Sequence, residues 1–347
     1  MDKWKNGKNV LKIKRLVFAV LIMCSYSSLV FASKNTLNDN PIINEFIDQM
    51  VKNDKFDRSK LVTMFDEVKV RPEIIDKMNR PAESWPWYRY RNIFLKQKRI
   101  DQGVEFWNEN EELLKKAEKE LGVDAQVIVG ILGVETRYGR HSGGYRVVDA
   151  LTTIVVDYPR RSKYFKRELR HVLLLAREEK VDPLAFMGSY AGAMGKAQFM
   201  PSSYRSYAID FDKDGHRDLI GNTADAIGSI ASYLKKHGWK SGEPITARAT
   251  VLAETGDKDK KYKKFVKKGM KPKVKIADIG KYGVRTKANF PSAAKASLIE
   301  LEQKEFNEYW LGLNNFYAIT RYNHSNLYAM AVFQLSEEIK AKRAKLN

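Results

Sequence analysis

Val127 to Val134 is an unbroken run of eight apolar or glycine residues, and an acid, Glu135, stands directly behind it. Such a run can only be enclosed, so a helix from Val127 to about Tyr138 must lie at the centre of whatever the chain builds. Asp124 is placed to cap its start and Gly139 to end it. At 100° per residue Glu135 falls within about 20° of Ile128 and about 40° of Ile131, so its carboxylate projects along an apolar stripe. Desolvation there, with the negative end of the helix close by, favours the protonated carboxyl. A glutamic acid kept ready to donate a proton suits cleavage of a glycosidic bond, whose leaving oxygen must be protonated as the bond breaks. A buried ion pair to Arg137 or Arg140 would explain the same acid without chemistry.

The remaining chain reads as mainly α with a smaller β component, an α+β protein of several parts. Amphipathic spacing predicts helices around Ile42 to Val51, along Val104 to Leu121, over Tyr164–Glu179, over Ala224–His237 and over Asn326–Lys342. The cluster of Trp85, Trp87, Tyr88, Arg89, Tyr90 and Arg91 is broken by prolines and reads as a loop or short turns. Short β-branched or aromatic stretches at Ile245 to Leu252, Val274 to Ile279 and Phe316 to Thr320 suggest a small sheet. The segment 188–201 holds three glycines and three alanines, which lets a backbone come close either to a ligand or to another element.

Residues 1–32 have a different character. Six basic residues precede an apolar stretch, Leu16 to Val30, and Val30, Phe31 and Ala32 offer a cleavage site, so a signal peptide removed after Ala32 is expected. About fifteen apolar residues fall short of the roughly 20 a bilayer span needs. Cys24, the only cysteine, raises lipid anchoring as an alternative, but Met23 occupies the position where a lipidation motif needs a small residue. The protein is thus expected in the periplasm or cell envelope. The precursor's charge of +20 loses six basic groups and one acid with that segment, leaving +15. Ten lysines fall between Lys258 and Lys275. Such a balance favours a polyanionic partner or simply a solvated loop. Export turns the expectation from nucleic acid to an anionic envelope surface.

Five segments in order, GVETRYGR at 133–140, DYPRRSKYF at 157–165, GSYAGAMGKAQFMPSSY at 188–204, DAIGSIASYL at 225–234 and RYNHSNLYAMAV at 321–332, resemble the lytic murein transglycosylase B family. The resemblance extends over roughly residues 40–340. It implies a lysozyme-like catalytic core at 116–243 with a calcium-type loop, an N-terminal helical region at 33–115, a small sheet-containing domain at 244–319, and a C-terminal groove motif and helix at 320–347. It also implies Glu135 as the single catalytic residue, with Ser189, Gln198 and Phe199 along the sugar groove. Arg160 and Arg161 match arginines that face the peptide and lactyl groups of the substrate, and Tyr233, Tyr322, Asn323 and Tyr328 match further groove residues. The expected reaction cuts the glycan strands of peptidoglycan between N-acetylmuramic acid and N-acetylglucosamine without water, leaving 1,6-anhydromuramic ends, and needs no cofactor. A hydrolytic muramidase with Asp149 or Asp157 as a second carboxylate, and a non-catalytic wall-binding scaffold, are the competing readings.

Asp210, Asp212 and Asp214 alternate ahead of Gly215 and His216 as in a calcium loop, although Gly221 stands where that loop carries a bidentate glutamate. Asp225 could close the site from the next helix. A metal-free loop of Asx turns is the alternative.

Overall fold

The computed structural model describes residues 37–80, 84–252 and 261–346. The expected signal peptide and Cys24 lie outside them. The residues from Leu37 onward form one compact unit.

Six helices come first: α1 (Pro41–Asp54), α2 (Arg58–Asp66), α3 (Glu73–Met78), α4 (Trp87–Phe94), α5 (Gln97–Glu109) and α6 (Glu111–Leu121). Asn40 and Asp57 start α1 and α2 by accepting hydrogen bonds from Ile42 N and Lys60 N. The aromatic cluster expected to be a loop is instead α4, because Pro86 precedes the first turn, where a missing N–H costs nothing, and Trp87 and Tyr90 form a buried stripe. The continuous helix expected over Val104 to Leu121 is two, broken at Asn110, whose side chain bonds back to the Phe106 carbonyl.

The middle of the chain contains α7 (Ala125–Thr136), β1 (Tyr145–Arg146), α8 (Val147–Asp157), α9 (Ser162–Glu179), β2 (Met187–Gly188), α10 (Pro201–Tyr207) and α11 (Thr223–Lys236). Every residue of α7 except Glu135 is buried. Asp124 sits at its N-cap without a side-chain capping bond. Gly139 does not end it, because the chain leaves the helix two residues earlier, and Arg137, Tyr138 and Gly139 are all left-handed. The small ladder β1–β2 is antiparallel and ties the start of α8 to the glycine-rich segment.

A five-stranded antiparallel sheet follows, ordered β4 (Val274–Lys275), β6 (Lys295–Glu302), β7 (Asn307–Gly312), β3 (Thr246–Val251) and β5 (Val284–Arg285), with α12 (Lys261–Val266) against it. It has its own apolar cluster around Phe265, Val284 and Leu311. The expected strand at Phe316 to Thr320 is the helix α13 (Asn314–Tyr322), since Phe316, Ile319 and Thr320 are buried at helical spacing. The central strands are β6 and β7, which the sequence pattern hid because β6 is buried on both faces and does not alternate. Only the start of the expected Val274 to Ile279 strand is extended; a 3-10 helix takes over at Ile276.

The last helix, α14 (Asn326–Leu346), packs along α7. The glycines of α7 allow this. A Cβ at Gly130 would sit 3.0 Å from the Val332 carbonyl oxygen, and one at Gly133 would sit 2.9 Å from the Leu335 side chain. Close helix packing therefore fixes where the last turn of α7 presents Glu135.

Candidate active site

Glu135 is half-buried on an otherwise buried helix, and Tyr328, at the start of α14, donates a 2.6 Å hydrogen bond to its Oε1. Burial, and then the adjacent Glu135 carboxylate, pushes the Tyr328 phenol well above the ordinary tyrosine range, so it stays a donor. The same two causes act on Tyr322. The two nearby arginines have other partners: Arg137 Nε donates to Gln102 at 2.6 Å, and Arg140 pairs with Glu105 at 3.1 Å.

From Tyr328 a ladder of rings runs away from the glutamate. Tyr322 stacks on Tyr328 with centroids 6.3 Å apart, Tyr233 meets Tyr322 edge-on at 4.9 Å, and Phe199 touches both Tyr233 and Tyr322 at about 5.5 Å. The ladder continues to His237, stacked on Tyr233 at 4.0 Å, with Tyr207 against both. Hydroxyls pin these rings to backbone: Tyr322 donates to the Ala197 carbonyl and Tyr233 to that of Arg321. Four of the expected residues, Phe199, Tyr233, Tyr322 and Tyr328, thus form one cluster reaching Glu135. Asn323 is the C-cap of α13, immediately after Tyr322. Tyr207 and His237 are members that sequence reasoning missed; each carries a helical pattern no different from core aromatics.

The glycine-rich segment turns on itself beside this cluster. A Cβ on Gly188 would lie 2.2 Å from the Ala193 carbonyl oxygen and one on Gly195 would lie 2.3 Å from that of Leu219. The small residues therefore serve backbone-on-backbone packing. Gln198 sits at φ +50° and its amide donates to the carbonyls of Ser142 and Gly195, both at 2.9 Å. Ser189 Oγ accepts from Ala193 N. Thr136, another residue not foreseen, hydrogen-bonds the Lys196 carbonyl at 2.9 Å and so joins the end of α7 to this segment.

Arg160 and Arg161 are exposed on the turn between α8 and α9, with Arg161 over the rings of Tyr164 and Phe165. Asp149, one suggested second carboxylate, is committed to structure: it is 1% exposed and accepts from Lys69 N and from Arg146, which holds both its oxygens. Asp157 is exposed at the end of α8.

Asp210, Asp212 and Asp214 bring carboxylate oxygens within 4.8 Å of one another. That all-oxygen donor set fits a hard cation such as calcium. Asp225 is buried below them and accepts from Phe211 N and Asp218 N, both at 2.7 Å, so it closes the base of the loop through backbone bonds. Its burial, with Asp212 and Asp210 near, holds its carboxyl above the usual range. His216 N caps Asp214.

A buried helix that delivers one glutamate beside a cluster of stacked rings, in a mainly helical fold with a small antiparallel sheet, defines a lysozyme-like, glycan-cleaving enzyme. The family described as Transglycosylase SLT domain matches residues 38–337, and the chain belongs to that family. It is 42% identical over 315 residues to the membrane-bound lytic murein transglycosylase B of Escherichia coli strain K12, covering 88% of this chain and 84% of that protein. The structure of soluble lytic transglycosylase SltB1 from Pseudomonas aeruginosa is 46% identical, with a TM-score of 0.80 over 88% of this chain and all of that one. Escherichia coli lytic transglycosylase Slt35, solved in complex with calcium, is 42% identical with a TM-score of 0.79, over 89% of this chain and 95% of its own.

Proposed function

We propose that Glu135 carries out a lytic transglycosylase reaction on peptidoglycan, first as acid and then as base. The observation that carries this reading is the position of Glu135 as the one residue of α7 that is not buried, held by Tyr328. The protonated carboxyl gives its proton to the oxygen bridging N-acetylmuramic acid to N-acetylglucosamine, and the bond from that oxygen to the anomeric carbon breaks. The substrate's own N-acetyl oxygen supports the positive anomeric centre. The Glu135 carboxylate then takes the proton of the muramic C6 hydroxyl as O6 bonds to the anomeric carbon. Ring closure leaves a 1,6-anhydro end and returns Glu135 protonated. An internal hydroxyl, tethered to the reacting ring, is present at high effective concentration and needs no second carboxylate. The engagement of Asp149 with Arg146 and Lys69 speaks against the muramidase alternative.

On this reading the ring ladder of Phe199, Tyr233, Tyr322 and Tyr328 walls the glycan groove, with Ser189, Gln198 and Asn323 along it. Arg160 and Arg161 meet the lactyl and peptide groups. Residues 116–243 and 320–347 form the catalytic unit, flanked by 33–115 and by 244–319. A calcium ion, held by Asp210, Asp212 and Asp214 with the His216 carbonyl and with Asp225 beneath, would brace the loop ahead of α11 and takes no part in the chemistry. The relative named as membrane-bound supports an envelope location, which the basic and apolar pattern of residues 1–32 would direct.

Mass spectrometry of fragments released from purified cell wall tests the reaction. The expected fragments are lighter than hydrolysed ones by one water, about 18 mass units, because the nucleophile is internal. Fragments with a free reducing end would establish hydrolysis instead.

A further inference from the structure

Between the helical core and the five-stranded sheet lies a cavity of about 590 Å³, a volume within the range of small-ligand sites. Its floor is apolar, built from Pro272, Phe290, Pro291, Ala294 and Leu313. Lys271 and Lys295 stand at its mouth, both exposed. Tyr317 and His237 line the helical side. Among the described residues, neither ammonium group nor the Tyr317 hydroxyl has a hydrogen-bond or ion-pair partner.

Two features point to an anionic occupant. Lys295 lies directly opposite Lys275 in the antiparallel register of β6 and β4, and like charges facing each other across a ladder are unfavourable until an anion sits between or beside them. Between Lys261 and Lys295 Asp278 is the only acid, and it is paired with Lys281; Glu243, the one carboxylate lining the cavity, is paired with Lys240 at 3.3 Å, so Lys271 and Lys295 leave the site net positive. The cavity also touches the ring cluster: His237, which lines it, is the far end of the ring ladder whose near end touches Glu135. His237 Nδ1 lies 2.8 Å from the Tyr233 carbonyl and donates to it, which leaves Nε2 as an acceptor. Burial holds this imidazole below its ordinary range, so it is neutral at pH 7.

We infer that this cavity binds a peptide stem of the substrate, with alanine methyl groups on the apolar floor and stem carboxylates on Lys271 and Lys295. A sugar ring would offer hydroxyls to a floor of proline, alanine and leucine that cannot satisfy them, and no charge to the lysines. A short acidic peptide rich in alanine offers both halves of the match. His237 Nε2 can accept a peptide N–H, and the Tyr317 hydroxyl can meet a peptide carbonyl. The site is distinct from Arg160 and Arg161, which lie on the α8–α9 turn. The inference rests on peptidoglycan as the substrate.

The test uses the full chain and two substrates: glycan strands carrying their peptide stems, and the same strands stripped of peptide by an amidase. The variant Lys271→Glu with Lys295→Glu reverses two exposed charges, and Lys271→Ala with Lys295→Ala serves as a milder version. KM for peptide-bearing strands should rise about tenfold in the reversal and less in the alanine pair, the scale of losing charge-assisted contacts at an exposed mouth. Kinetics on stripped strands should not change. The free acidic stem tetrapeptide should bind wild type and not the reversal, measured by calorimetry. Equal kinetics on both substrates in all proteins would overturn the inference. So would a loss shared equally by the two substrates, which would mark a general charge effect. Loss of binding to phosphatidylglycerol vesicles with cleavage of both substrates unchanged would assign the lysines to a lipid surface instead. Wild type failing on both substrates would defeat the peptidoglycan reading itself.

Discussion

Tyr328 Oη and Glu135 Oε1 are 2.6 Å apart across the contact between α14 and α7, two helices separated by almost two hundred residues of chain. The phenol fixes the carboxyl rotamer while the rest of Tyr328 is buried. Glu135→Gln keeps the shape and removes the transferable proton, so turnover on purified cell wall should fall by roughly 10²–10⁴ fold. Tyr328→Phe keeps the ring packing and loses only the hydrogen bond. Its turnover should fall by about tenfold or somewhat more, the scale of one charge-assisted bond, with little change in melting temperature. Undiminished turnover in Glu135→Gln would remove that residue from the mechanism.

The aspartate loop makes a prediction of stability. An ion that binds only the folded chain stabilises it by about 2.7 kcal/mol at a concentration 100 times its dissociation constant. Melting in calcium should therefore occur several degrees above melting in chelator, and Asp214→Ala should erase the difference. Identical wild-type curves in the two buffers would mean that Asp210, Asp212 and Asp214 form Asx turns only.

Gly143 tests the backbone packing beneath the site. It sits at φ +103°, and a Cβ there would lie 2.0 Å from the Gly188 carbonyl oxygen, backbone against backbone. Neither chain can yield without opening the β1–β2 ladder. Gly143→Ala should destabilise the protein by about 1–3 kcal/mol or more, read from denaturant midpoints. Gly144→Ala, where nothing lies within 4 Å, is the control and should be nearly neutral.

The legibility of the sequence followed its physics. Glu135 stood out because one acid after eight apolar positions has few structural excuses, and family motifs gathered Tyr322, Tyr328, Tyr233 and Phe199, which no local pattern could bring together across the chain. The sheet was read poorly. β6 is buried along most of its length, so the two-residue alternation that marks a half-exposed strand is missing, and α13 was mistaken for a strand because Phe316, Tyr317, Ile319 and Thr320 are aromatic or β-branched. The closing role of Asp225 was anticipated in position but not in kind: its oxygens accept backbone N–H groups, a partnership that sequence cannot reveal.

His171, together with His237, sets the pH dependence near neutrality. His171 Nδ1 lies 2.6 Å from the Arg205 guanidinium, which can only donate, so this nitrogen must accept and the ring must be neutral. Burial first, then Arg205 and Arg170, hold its pKa below the ordinary value of 6.5, against the opposing pull of Glu168 and Glu178. A folded-state pKa below the unfolded one means that the unfolded chain takes up the proton first. The contribution of His171 to stability is therefore fully present above pH 6.5 and is lost as pH falls through the folded-state value. Asp54 and Glu178, both held below their ordinary range by hydrogen bonds from Arg170 and Arg205, lose their contributions in a separate, more acidic window below about pH 4. Melting temperature should accordingly decline between pH 7 and pH 5, before the carboxylates titrate. His171→Asn retains an acceptor for Arg205 and cannot titrate, so it should reduce that first decline, His237 supplying the rest, while leaving the acidic one in place. A variant whose melting temperature tracks wild type across pH 7 to 5 would show that the decline comes from another group.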